Sequence, residues 1–268
     1  MPSPAKRPNA IVTLTTDFGL TDHFTGVMKG VILRICPQAR IVDITHECRA
    51  FDISEAAFTV AQAYRHFPRR TVHVVVVDPG VGTLRRPILV EAAGQFFVGP
   101  DNGVFAFILS EEKHKVRAVS NTKYFLAAVS QTFHGRDVFA PVAAHLANGI
   151  PPARMGKPIE NYLRPHSLKP ERTARRGWTG TVLKVDRFGN LITNFLASEF
   201  PRVLEGPFEM IVGLRTVNRL AANYQQFGPG EVFAIVGSSG YLEVSAGQAP
   251  ASKILGVAAG APIELTIF

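Results

Sequence analysis

The sequence predicts an α/β protein in two parts: an N-terminal α/β domain with a central, mostly parallel sheet, and a C-terminal antiparallel β-barrel domain. Three observations predict this. The first 160 residues alternate β-branched runs with apolar patterns of helical spacing, as a parallel sheet with crossover helices requires. The last 90 residues hold short strand-like runs separated by glycine turns, the spacing of a small antiparallel barrel. At 268 residues the chain is also at the size where a single core tends to divide. The expected boundaries are 1–162 for the first domain, 163–177 for a linker and 178–268 for the second.

In order, IVTLTT (11–16) reads as a strand that stops at Asp17. HFTGVMKGVILRIC carries Phe24, Val27, Met28, Val31, Ile32 and Ile35 at helical spacing and ends ahead of Pro37, which disfavours helix at the residue before it. ARIVDIT is a second strand, and SEAAFTVAQAYRHF a helix with Ser54 as its expected N-cap. TVHVVVVD is a third strand, PILVEAAGQFFVGP a hairpin and VFAFILSEE a short helix. FHGRDVFAPVAAHLANG begins as a loop and becomes a helix. LRPHSLKPERTARRG is rich in Pro and Arg and poor in apolar residues, hence the linker. GTVLKVDRFGNLITNF, FEMIVGL, EVFAIVGSSGYLEVS and APIELTIF supply the barrel strands.

Composition narrows the function. Hydrophobic residues make up 46% and charged residues 19%, a globular mix. The net charge of +8 gathers in short clusters such as Lys6 with Arg7 and Arg172 with Arg175 and Arg176. No basic stripe interleaved with aromatics and no nucleic-acid motif accompanies it, so no nucleic-acid partner is expected. Cys36 and Cys48 have no metal-ligand spacing and make no disulfide framework. No apolar run resembles a signal peptide or membrane span. A cytoplasmic protein without a membrane partner is the expectation. The glycine loops spell neither a P-loop nor a dinucleotide fingerprint.

In an open α/β sheet, ligands gather beyond the carboxyl ends of the strands. Asp17, Asp43 and Asp78 stand at three such ends. For any one of them the plain alternative is a turn carboxylate that satisfies loop N–H groups. Asp78 is the most informative. Pro79 restricts the turn, Gly80 and Gly82 permit close backbone approach, and Arg85 or Arg86 is near enough to pair with the carboxylate. Such a pair keeps Asp78 ionised, able to orient and polarise a water rather than act as an acid. His134, followed by Gly135, is the histidine of eight with room for a ligand beside it, while Arg136 and Asp137 suit a local ion pair. DRFGN and GSSGYLE are polar clusters suited to a small polar molecule and equally suited to hairpin turns.

TTDFGLTDHF, VDITHE, VVDPGVGT with Arg85, GPDNGVF, FHGRDVFAP, DRFGNLITN and GSSGYLE together resemble the S-adenosyl-L-methionine hydroxide adenosyltransferase family, hydrolytic relatives of the fluorinase and chlorinase. The resemblance runs from Ile11 to the C-terminus. It implies a homotrimer with active sites between subunits, and hydrolysis of S-adenosyl-L-methionine to adenosine and L-methionine by water or hydroxide attacking the ribose C5′. No metal or cofactor is implied, because the sulfonium is already a good leaving group. The same resemblance assigns Asp78, Arg85 and His134 as the catalytic triad and Asp17 to the ribose hydroxyls. Phe51 then takes the place of an aromatic residue packed on the substrate, Phe133 lines the pocket, and Gly135 is a small residue shared with the chlorinase. Asp186 falls on the methionine ammonium, Phe188 and Asn190 on the adenine, and Ser238 and Ser239 on the methionine carboxylate, with Ser239 replacing the fluorinase arginine. Residues 48–50, Cys-Arg-Ala, depart from the family's proline-rich form. Two other functions stay open: a halide-dependent, chlorinase-like adenosyl transferase and a non-catalytic adenosine-binding protein.

Overall fold

The structure, a computed structural model, describes residues 10–164 and 169–268. The chain divides into two compact units, through Pro165 and from His166. Lys6 and Arg7 lie outside the described residues, as do four residues, 165–168, of the expected linker.

The N-terminal unit runs β1 (Ile11–Thr16), α1 (Phe24–Ile35), β2 (Arg40–Thr45), α2 (Ile53–Ala63), β3 (Val72–Val76), β4 (Pro87–Ala92), β5 (Gln95–Pro100), α3 (Ala106–Glu111), β6 (His114–Ala118) and α4 (Ala140–Ala147). The sheet order is β2-β1-β3-β5-β4-β6, parallel from β2 to β5 and antiparallel at β4 and β6. β3 is central and buried along its whole length, as a strand covered on both faces must be. Its side chains alternate: Val72, Val74 and Val76 join a core with Met28 and Ile32 of α1 and Val142 and Leu146 of α4, whereas Val75 and Val77 join Ala56 and Val60 of α2 and Ile108 of α3. Sequence patterning missed β6, a short strand beside β4.

Two local readings are corrected. The cap of α2 is Asp52, not Ser54: Asp52 Oδ1 accepts from Glu55 N at 2.9 Å, and Glu55 Oε2 accepts from Arg49 N at 3.2 Å. Asp52 caps the first turn while Glu55 ties the preceding loop to it, so the helix begins before Ser54. The helix that ends in α4 opens with a π-helical turn, Gly135–Phe139. Pro141 has no N–H to give Asp137 O, and Leu126 N donates to that carbonyl at 2.9 Å instead.

The C-terminal unit contains β7 (Glu171–Ala174), β8 (Gly177–Val185), β9 (Leu191–Leu196), α5 (Arg202–Glu205), β10 (Phe208–Val212), β11 (Arg215–Val217), β12 (Leu220–Ala221), β13 (Val232–Val236), β14 (Tyr241–Ala246), α6 (Ala251–Leu255) and β15 (Pro262–Ile267). Its hydrogen-bonded path is β11-β10-β15-β8-β9-β14-β13-β12, antiparallel except between β12 and β13, with β7 added to β8. β8 turns the corner. Gly177–Thr181 pairs with β15 and Val182–Val185 with β9, so one strand serves both halves of the sheet. The curled sheet encloses one core, with Val182, Phe195, Met210, Leu242 and Leu265 among its members. Part of the expected linker is therefore strand. All four β7 residues are exposed, so the backbone ladder orders them without any apolar alternation to mark them in sequence.

Candidate active site

Beyond β3 the chain makes two tight turns, Val81 N to Asp78 O at 3.2 Å and Thr83 N to Gly80 O at 3.2 Å. Gly82 has φ 78°, and a Cβ there would lie 2.2 Å from Gln131 O. Only glycine accepts both the left-handed backbone and that approach, which brings the loop against the segment leading to His134. From the other side, Asn102 Nδ2 donates to Val77 O at 2.9 Å and ties down the strand end.

The loop returns Arg85 onto Asp78. Arg85 Nε donates to Asp78 Oδ1 at 2.8 Å, and Nη2 donates to Oδ2. The side chains are 9% and 5% exposed, so the fork is sheltered from water. Arg85 Nη2 also lies 2.9 Å from His134 Nδ1. A guanidinium only donates, so Nδ1 is the acceptor and the imidazole proton is on Nε2. Burial, then the Arg85 charge, holds His134 below the ordinary histidine range. The guanidinium carbon stands 5.3 Å from the Phe139 ring centre. Arg85 Nη1 is buried with no partner among the described residues. Arg86 goes elsewhere, to Asp101 Oδ2 at 2.8 Å and Asn161 O at 2.6 Å, which settles which arginine meets Asp78.

At the neighbouring strand end, Asp17 Oδ2 accepts from Phe51 N at 2.9 Å. Phe51 has φ 67°, and its side chain is 71% exposed. A bulky residue in left-handed backbone stores strain, and the Asp17 bond helps hold it there. Asp43 is not part of this contact. It accepts from Lys29 Nζ at 2.5 Å and pairs with His46 Nε2 at 3.0 Å, while His46 Nδ1 meets Thr16 Oγ1 at 2.8 Å. Burial pushes Asp43 up, but the Lys29 and His46 contacts outweigh it and hold the carboxyl below its usual range. This relay braces the turn after β1, and motif reading missed it because its members are spread over three elements.

Phe133 is buried, edge-on to Phe18 and Phe24 with ring centres 5.8 and 5.2 Å away. Gly135 is buried too. A Cβ there would meet Phe133 at 3.1 Å and Met28 Sδ at 3.2 Å, so side chains of the protein occupy that flank. The expected Arg136–Asp137 pair forms at 2.6 Å.

The remaining candidates belong to the C-terminal unit. In the turn joining β8 to β9, Asp186 Oδ1 accepts from Phe188 N at 2.9 Å and Asn190 N at 2.8 Å, and Oδ2 accepts from Asn190 Nδ2 at 2.8 Å. The carboxylate thereby organises the turn that presents Phe188, 78% exposed, and holds the buried Asn190. Ser238 and Ser239 occupy the β13–β14 turn, where Ser239 Oγ is buried without a partner among the described residues. Among the described residues no group of three or more His, Cys, Asp or Glu is placed to hold a metal, and no helix is long and apolar enough to cross a membrane.

Comparison with known proteins extends over both units. The family model for the SAM hydroxide adenosyltransferase N-terminal domain matches residues 12–156, and that for the C-terminal domain residues 180–264. The chain is 37% identical to an (R)-S-adenosyl-L-methionine hydrolase of Salinispora tropica, covering 97% of this chain and 98% of that protein. It is also 37% identical to the enzyme of that name from Thermus thermophilus, with coverages of 95% and 98%. A fluorinase of an Actinoplanes species is more distant, 27% identical with coverages of 96% and 98%. Among solved structures, a conserved protein from Thermotoga maritima superposes with a TM-score of 0.88 at 38% identity, covering 96% of this chain and 99% of that one.

Proposed function

The chain belongs to the SAM hydroxide adenosyltransferase family, and from that premise we propose that it hydrolyses S-adenosyl-L-methionine to adenosine and L-methionine. One observation carries the choice of nucleophile: Arg85 grips Asp78 through two bonds, donates to His134 and keeps a buried Nη1 unpartnered. A carboxylate that accepts a proton of the water and an unused N–H group that donates to its oxygen are what hold a water in place, beside an imidazole whose acceptor nitrogen is already taken by Arg85.

In the proposed step the water oxygen forms a bond to the ribose C5′ while the C5′–S bond breaks, its electron pair going to sulfur. Methionine leaves as a neutral thioether, and the attacking water gives up one proton, to Asp78 or through it to solvent. The leaving group needs no acid, metal or cofactor. Alignment and desolvation of a weak nucleophile supply the rate.

Asp17 is assigned to the ribose hydroxyls, with Phe51 packing on the nucleoside and Phe133 and Gly135 forming the wall behind it. Asp186, Phe188, Asn190, Ser238 and Ser239 are assigned to the adenine and methionine ends. The homotrimer with active sites between subunits is the arrangement that the family resemblance implies, and it accommodates candidates that divide between the two units. A cytoplasmic location is the reading for the two buried thiols, Cys36 and Cys48.

Incubation with S-adenosyl-L-methionine, with and without chloride, tests the proposal. Adenosine and methionine in equal amounts over many turnovers, unchanged by chloride, are expected. Formation of 5′-chloro-5′-deoxyadenosine would replace water with halide as the nucleophile, and tight adenosine binding without turnover would remove the enzyme altogether.

A further inference from the structure

Three acids stand near the carboxyl ends of strands, and the proposed reaction uses Asp17 and Asp78 but not Asp43. Asp43 is the outer end of a line of side chains that leads inward to Thr16, the residue before Asp17. Lys29 Nζ donates to Asp43 Oδ2 at 2.5 Å, Asp43 Oδ1 stands 3.0 Å from His46 Nε2, and His46 Nδ1 meets Thr16 Oγ1 at 2.8 Å. Lys29 and Asp43 are partly exposed, whereas His46 and Thr16 are buried.

Backbone pairing does not fix this corner. The β1–β2 register shifts between Leu14 and Thr15, whose partners are Asp43 and Thr45, so β2 carries an extra residue just where the two strands end. Past that irregularity the two loops are tied by separate bonds: Cys48 N donates to Thr16 O at 3.2 Å, Gly19 N to His46 O at 2.8 Å, and Phe51 N to Asp17 Oδ2 at 2.9 Å. Thr16 Oγ1 also accepts from Phe18 N at 3.3 Å, which curls the chain around Asp17. Of these links, the Thr16–His46 contact alone joins two buried side chains.

We propose that Thr16 and His46, steadied by Asp43 and Lys29, are positioning residues for nucleoside recognition, setting Asp17 against the ribose hydroxyls and Phe51 beside it. The proposal rests on the reading of Asp17 as the ribose ligand. A carboxylate that already gives one oxygen to Phe51 N has little freedom to swing, so its aim is inherited from the backbone at Thr16. Hydrogen bonds weaken steeply with misalignment, and a ligand-binding group is only as well placed as the residues that support it. Without the Thr16 hydroxyl, His46 Nδ1 is left buried and unsatisfied, and the loop that carries Phe51 has to shift to relieve it. A merely stabilising contact would affect every nucleoside alike; a positioning contact matters most for a nucleoside that carries the hydroxyls.

Titration calorimetry with adenosine and with 2′,3′-dideoxyadenosine, which lacks both hydroxyls, separates the two roles. The unsubstituted protein is expected to prefer adenosine by about 100-fold. Thr16→Val, which keeps the shape and loses the hydroxyl, should weaken adenosine about tenfold or more and leave 2′,3′-dideoxyadenosine within about twofold, while Thr16→Ser should keep the preference. Asp43→Ala, at a partly exposed position that folding tolerates, should narrow the preference by about threefold or more, and it decides alone if Thr16→Val does not fold. A preference unchanged by these two substitutions, or an equal loss for both nucleosides, would overturn the proposal. Absence of any preference in the unsubstituted protein is a separate outcome, which would overturn the reading of Asp17 as the ribose ligand and the positioning role with it.

Discussion

Arg85 donates from Nη2 to His134 Nδ1 at 2.9 Å while the same guanidinium clasps Asp78. The bond does more than join two residues. It dictates the histidine tautomer, placing the imidazole proton on Nε2, and it makes the positions of the carboxylate and the imidazole depend on one rigid planar fork.

Loss of the carboxylate charge should therefore stop the reaction without abolishing the fold. Asp78→Asn is expected to lower kcat by about 100-fold or more. It should also cost roughly 3–5 kcal/mol in urea unfolding, because Arg85 is left buried without its counterion. Hydrolysis at the unsubstituted rate would refute the role given to Asp78.

The pH profile should report His134. Its folded value is lowered by burial and then by Arg85, so the imidazole stays neutral until the pH is below the ordinary histidine value of about 6.5. Activity should be flat through neutrality and fall only below that value, as protonation of Nδ1 breaks the bond from Arg85. In His134→Asn the acid limb of kcat/KM should vanish, even though the remaining rate is low.

A second histidine should govern acid stability. His73 is buried between Thr13 Oγ1, 2.8 Å from Nδ1, and Gln95 Oε1, 2.9 Å from Nε2. Gln95 Nε2 donates to Phe67 O at 2.7 Å, so its oxygen faces the ring and requires Nε2–H. Burial lowers His73 to about 4. A depressed histidine contributes stability that is complete above its unfolded value and lost as the pH falls. The shift corresponds to roughly 3 kcal/mol, withdrawn between about pH 6.5 and 4. Urea unfolding at pH 7.5 and 4.5 should show a smaller difference for His73→Gln than for the unsubstituted protein.

Phe51 should exchange stability for function. Its φ of 67° suits glycine, so Phe51→Gly is expected to relieve about 1 kcal/mol of strain and raise Tm. Removal of the exposed ring should raise KM for S-adenosyl-L-methionine, if that ring packs on the nucleoside. A lower Tm together with an unchanged KM would refute both assignments.

Several features were legible without coordinates because they depend on near neighbours in the chain. The run VHVVV is buried on both faces and reads as a central strand. The two-residue turn Ala93–Gly94, at φ 51° and 72°, matches the hairpin read from PILVEAAGQFFVGP. Where the signal was weaker, the reading slipped. Ser54 and Asp52 are both ordinary cap residues, and only the Glu55 and Arg49 contacts distinguish them. β7 has no buried face and so no pattern. The burial of Glu243 is hidden inside GSSGYLE, since strand alternation does not say that an acid on the face away from the core packs beneath a glycine.

The sequence by itself determined the order of most strands and helices, β6 and β7 excepted, and the residues that carry the family resemblance, because hydrophobic period and turn chemistry are local. Only the tertiary structure decided which partners those residues take. Arg85 and Arg86 are adjacent and chemically identical, yet one meets Asp78 and the other Asp101. The difference arises because Gly82 folds the loop against Gln131, 49 residues further on in the chain, and that contact exists only once the sheet has assembled.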